Sequence, residues 1–124
     1  MTTLKILPAA LDIEIFRGVT FDVTYTIRPK NADGSKGPPV DFTGYSGVMN
    51  IFNSDFAAAP EDVISTANGR MILGGPAGTI RVMAPAAGVQ AYTFERGLHT
   101  VEVTDGSGVV TPLLAGLFKV LRKL

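Results

Sequence analysis

The sequence predicts an all-β protein: a two-sheet antiparallel β-sandwich of about eight strands with at most one short helical turn. Three observations carry that prediction. Apolar residues recur at every second position in run after run, the period of a strand with one buried face. The runs are short and follow one another at spacings of roughly 8–12 residues, as strands joined by tight turns do. Finally, 14 glycines and 8 prolines punctuate 124 residues, a density that suits turns and defeats long helices.

With 46% hydrophobic residues the chain can enclose one core and is too short for two ordinary domains. Residues 1–10, M-T-T-L-K-I-L-P-A-A, are expected to form an extended arm, and residues 11–124 a single sandwich domain. Leu11, Ile13 and Ile15 alternate with Asp12 and Glu14, and Phe21, Val23, Tyr25 and Ile27 alternate with Asp22, Thr24 and Thr26. These two runs read as antiparallel strands joined at Arg17-Gly18. The next stretch, P-K-N-A-D-G-S-K-G-P-P, offers little to bury and many turn formers, so an exposed, mobile loop is expected.

A strand ending near Val40 enters a D-F-T-G-Y corner and leaves with Gly47, Met49 and Ile51 as its inward row. The connection N-S-D-F-A-A-A-P-E-D has an apolar middle in which Phe56 lacks an obvious strand partner. Val63–Thr66 and Arg70–Leu73 flank Ala67-Asn68-Gly69, and Asn-Gly readily takes the positive φ of a hairpin turn. Gly74-Gly75-Pro76-Ala77-Gly78 breaks the pattern before a strand over Thr79–Met83. P-A-A-G-V-Q-A supplies the one expected helical turn. Leu98–Thr104 puts His99, Val101 and Val103 on one face, and the turn Asp105-Gly106-Ser107-Gly108 leads to a last strand pair over Val109–Leu114 and Gly116–Leu121.

Charge excludes some partners. The 11 basic and 11 acidic residues are dispersed, so there is no stripe to neutralise a phosphate backbone and nucleic-acid binding is not expected. No membrane association is expected either, because the amino-terminal apolar run is short and broken by Pro8; the same run is too weak for a signal peptide. Without cysteine there is neither a disulfide framework nor a thiolate metal site. No cofactor is expected.

Reactive constellations are equally sparse. His99, the single histidine, reads as a core or half-buried side chain with one hydrogen-bond partner, because no nucleophile elbow or orienting motif surrounds it. The pairs Asp12 with Glu14 and Glu61 with Asp62 read as solvated carboxylates. Glycosidase chemistry needs two carboxylates across a cleft, one of them desolvated, and no calcium-loop pattern is present. G-G-P-A-G precedes no Lys-Ser or Lys-Thr helix and is a turn, not a phosphate cradle. No catalytic or metal-binding residue is assigned.

The corner carries most of the functional information. Gly44 can take positive φ, Asp41 and Thr43 can hydrogen-bond local backbone, and Tyr45 can anchor the bend with its ring. This Asp-x-Thr-Gly-Tyr corner resembles one in small β-sandwich proteins of tailed-bacteriophage virions, including the amino-terminal domain of baseplate upper proteins. Further landmarks follow the same order: R-G-V-T-F (Arg17–Phe21), G-T-I-R-V (Gly78–Val82), G-L-H-T-V-E-V-T-D-G-S-G (Gly97–Gly108) and G-L-F-K-V (Gly116–Val120). Each is weak alone, and their order is the stronger signal. The chain departs from the family at His99, where a tyrosine is usual.

The resemblance implies an immunoglobulin-like (Ig-like) sandwich and a non-enzymatic virion protein, attached to tail or baseplate, made in the bacterial host cytoplasm and binding other virion proteins. Surplus apolar residues are the candidate interface: Leu4, Ile6 and Leu7 in the arm, Phe52 and Phe56 by the 53–62 connection, and Leu121 and Leu124 at the end. They suit a homo-oligomer, or many copies in a symmetric assembly. Capsid decoration is the nearest alternative, and a receptor- or carbohydrate-binding module working through Pro29–Pro39 the next. A sequence with no Trp and 3 Tyr argues against a sugar platform.

Overall fold

The computed structural model describes residues 9–54 and 59–122, which form two β-sheets over a shared apolar core. Nine strands follow in order: β1 (Ala9–Ala10), β2 (Ile13–Phe16), β3 (Phe21–Thr26), β4 (Ser46–Phe52), β5 (Asp62–Ser65), β6 (Met71–Leu73), β7 (Thr79–Ala84), β8 (Arg96–Thr104) and β9 (Val110–Leu121). Two short helical pieces interrupt them, a 3-10 turn over Gly75–Ala77 and α1 over Ala86–Gln90, where one was expected. Pro85 stands extended before α1 at φ −68° and ψ 156°, as a residue just outside a helix does, and Val89 of α1 is fully buried.

The larger sheet runs β1-β9-β8-β4-β5, with β2 also on β9; the smaller runs β3-β7-β6. Period-two patterning makes the inner faces. Met49 and Ile51 of β4, Val101 and Val103 of β8, and Phe118 and Val120 of β9 meet Phe21, Met71, Ile80 and Val82 of the smaller sheet. Phe118 is the hub, its ring edge-on to Phe21 at 5.9 Å and to Tyr92 at 6.1 Å, with Phe94 at 6.1 Å.

Four expectations are corrected by the pairing. Segment 13–16 does not form a hairpin with 21–26. It pairs parallel with β9, while β3 joins β7 in the other sheet, so Arg17-Gly18 is a crossing between sheets and the architecture is not purely antiparallel. Nor do β5 and β6 pair. Gly69 takes φ 79° but Asn68 does not take the positive φ a type I′ turn needs, and the chain again changes sheets there. The last strand pair is one strand, β9, in which Leu113 forms a bulge opposite Val101 and Glu102. The strand expected to end near Val40 is irregular backbone leading into the corner, and the nine strands include a separate two-residue β1 because the edge segment splits at Leu11-Asp12.

The loop after β3 has more internal structure than expected: Lys30 and Lys36 form an isolated bridge, and the Asp33 carboxylate accepts hydrogen bonds from the Ser35 backbone and hydroxyl. Leu4, Ile6, Leu7, Phe56 and Leu124, and most of the amino-terminal arm, lie outside the described residues.

Candidate functional site

Three polar constructions and one face account for the residues singled out by the sequence. The corner is built as its residue types demand. The Asp41 carboxylate accepts from the Thr43 backbone N–H at 2.9 Å and the Thr43 hydroxyl at 2.6 Å, which holds Asp41 below the usual carboxylate range. The Tyr45 N–H closes the turn onto the Phe42 carbonyl at 3.0 Å, with Gly44 at φ 80°, the third-position geometry of a type II turn. Phe42 is buried, and half-buried Tyr45 packs edge-on against it at 5.5 Å.

A Cβ on Gly44 would meet no atom within 4 Å, so the cost of substitution there is conformational alone. Gly44→Val is expected to destabilise the domain by about 1–2 kcal/mol, the cost of a left-handed backbone for a branched side chain, and Gly44→Asn by less. Urea unfolding followed by circular dichroism checks this. Equal midpoints for valine and glycine would mean that the φ is not fixed by the fold.

His99 occupies the centre of β8, fully buried, and its register partner on β9 is Gly116. With no side chain at Gly116, the imidazole reaches across β9, and its Nε2 donates to the Leu11 carbonyl at 2.6 Å. A carbonyl can only accept, so Nε2 carries a proton, and in the neutral ring that burial favours Nδ1 is bare. Among the described residues Nδ1 has no hydrogen-bond partner. The same Leu11-Asp12 break places the Asp12 carboxylate where it accepts from the Leu117 N–H at 3.0 Å. The split between β1 and β2 is therefore a pinned joint.

Burial lowers the His99 pKa from 6.5, opposed by the Leu11 hydrogen bond and the nearby Asp12 charge. A group whose folded pKa is depressed stabilises the fold fully above its unfolded value, and that contribution disappears as pH falls through the folded value. The thermal midpoint is thus expected to drop as pH falls below 6.5, and His99→Gln to flatten the drop. Parallel profiles for the two proteins would exclude this role for the imidazole.

The third construction is a clamp that sequence reasoning missed. Glu61 and Asp62 were expected to be solvated; both are half-buried. Arg70 grips Asp62 with two hydrogen bonds of 2.9 and 2.8 Å, and the Tyr92 hydroxyl donates to the same carboxylate at 2.6 Å. Burial alone would raise Asp62, but the bonds from Arg70 and Tyr92 prevail and hold it low. Burial and the Asp62 carboxylate together push the Tyr92 phenol up. Glu61 takes the Thr93 N–H at 3.0 Å and its hydroxyl, while Arg17 donates to the carbonyls of Tyr92 and Phe94. Together these ties fasten the 92–94 connection to β5 and to the end of β2. A cavity of about 360 Å³ opens beside the clamp, lined by Glu61, Asp62, Arg70, Pro85, Gly88, Ala91 and Tyr92.

Of the candidate interface residues, the structure describes Phe52 and Leu121. Both are half-buried on the outer face of the larger sheet, Phe52 opposite Leu98 and Leu121 opposite Phe16. Phe16 is 48% exposed, and Ile72 of the smaller sheet 49%. Against known families and curated proteins the chain finds no match, neither a family model nor a related sequence.

Proposed function

We propose that this domain is an Ig-like sandwich that serves as a non-enzymatic structural protein of a tailed-bacteriophage virion. It sits at the tail or baseplate, in several copies, and binds other virion proteins. One observation carries the non-enzymatic part. Every described aspartate is committed to holding the fold: Asp12 to the Leu117 N–H, Asp22 to Arg81, Asp33 to Ser35, Asp41 to Thr43, Asp62 to Arg70 and Tyr92, and Asp105 to the backbone of Ser107 and Val109. Carboxylates so engaged shape loops and joints.

The virion placement rests on the ordered motif resemblance, and the corner's geometry supports it. Assembly through such a domain needs surface and no chemistry. An interface of about 1,600 Å² in total suffices for stable docking, and repeated copies add avidity. Mass spectrometry of purified particles, with a density map that locates the chain, is the test. Presence at the tail is the expected result; absence from particles, or turnover of a substrate lost in His99→Ala, overturns the proposal.

A further inference from the structure

The outer face of the larger sheet is ordered in rows. Cross-strand register aligns Leu117, Leu98 and Phe52 as one bulky apolar row across β9, β8 and β4, and Ala115, Thr100 and Asn50 as the next, smaller row. A groove of about 200 Å³ lies along their boundary, lined by Phe52, Leu98, Thr100 and Ala115 among others. Beyond the bulky row stand Arg96 and Lys119; beyond the smaller row stands Glu102. Lys119 already faces Glu14 at 3.8 Å, but among the described residues Arg96 and Glu102 have no ion-pair partner.

These rows are self-complementary. On β8 the outward residues Arg96, Leu98, Thr100 and Glu102 are placed symmetrically about His99. A two-fold axis crossing the strands at that level lays β8 antiparallel over a second β8. Leu98, Leu117 and Phe52 of one copy then sit over Thr100, Ala115 and Asn50 of the other, large against small. At the same time Arg96 of each copy comes over Glu102 of the other, about 10 Å either side of the axis. Sheets stacked face to face lie about 10 Å apart, within reach of an arginine paired to a glutamate. The balance of 11 basic and 11 acidic residues leaves no net repulsion between copies.

We infer that the outer face of β4, β8 and β9 is a two-fold homodimer interface, with Leu98 at its centre and reciprocal Arg96–Glu102 pairs at its rim. This deepens the assembly reading and rests on its premise that the chain works in more than one copy.

Sedimentation velocity of the purified chain, from micromolar to sub-millimolar concentration, tests it. The wild type is expected to dimerise. Arg96→Glu and Glu102→Arg are each expected to weaken the dimer about tenfold or more, through like charges opposed across the rim, and Leu98→Glu to abolish it. The double exchange R96E/E102R is expected to return to near the wild-type affinity, because it restores both pairs. Circular dichroism confirms that each variant is folded. A wild type that stays monomeric throughout, single variants that dimerise as well as wild type, or a double exchange no better than either single one, overturns the interface. None of these depends on particles, and a dimer absent from virions overturns the virion placement while leaving the interface standing.

Discussion

Gly116→Val is expected to detach segment 9–16 from β9 and to cost about 3 kcal/mol, the sum of backbone overpacking and a lost buried hydrogen bond. A Cβ at this position would lie 2.6 Å from the Leu11 carbonyl carbon and closer still to its oxygen. The obstacle is main chain, so no side-chain rotation relieves it. Once the Leu11 carbonyl is displaced, the His99 side chain loses its one hydrogen-bond partner among the described residues, and Ile13 and Ile15 lose the register that buries them against Phe118 and Val120. Hydrogen exchange of the amides of Ile13–Phe16 should rise towards the unfolded rate while β4 stays protected. Gly106→Ala is the control, since its Cβ would meet nothing within 4 Å. Unchanged protection over 13–16 in the valine variant would disprove the pinned-joint account.

Phe118→Ala should cost about 3–5 kcal/mol, the range for a phenylalanine removed from a closed core. Its ring is fully buried and touches four others: Phe21 from the smaller sheet, Tyr92 and Phe94 from the connection after α1, and His99 at 6.2 Å. One truncation therefore loosens both sheets and the clamp together. Domains of this size have about 5–15 kcal/mol in total, so the variant should sit near the edge of folding. Phe16→Ala, at a position 48% exposed, should stay within about 0.5 kcal/mol of wild type. Urea unfolding of the pair separates the two cases; a loss below about 1 kcal/mol for Phe118→Ala would show that the core repacks around the gap.

The strands themselves are legible because burial on one face writes period two into the sequence: alternation alone assigns Phe21, Val23 and Tyr25, or Met49 and Ile51, to the core side. The corner is legible too, since Asp41, Thr43 and Gly44 act on backbone one or two residues away. Pairing is not. Arg17-Gly18 and Asn68-Gly69 have hairpin chemistry, but turn residues set only a local reversal, and which sheet the next strand joins is decided by distant faces. Asp62 reads as solvated because Arg70 and Tyr92 reach it from 8 and 30 residues away. Likewise His99 is recognisable as a core residue, whereas its bond to Leu11 spans 88 positions and needs the bare backbone of Gly116 between them.

The parallel pairing of β1 and β2 with β9 has a consequence for how the chain is made. Ribosomes deliver residues 9–16 long before their partner, residues 114–121. A nascent chain cannot close its larger sheet from the amino terminus inward, because the strand that joins both halves has yet to emerge. Until then the rim of β8 and the segment awaiting β9 both stay open, two sticky borders instead of one. Premature termination before Leu114 would leave them so permanently, which makes prompt arrival of β9 a condition of closing the larger sheet.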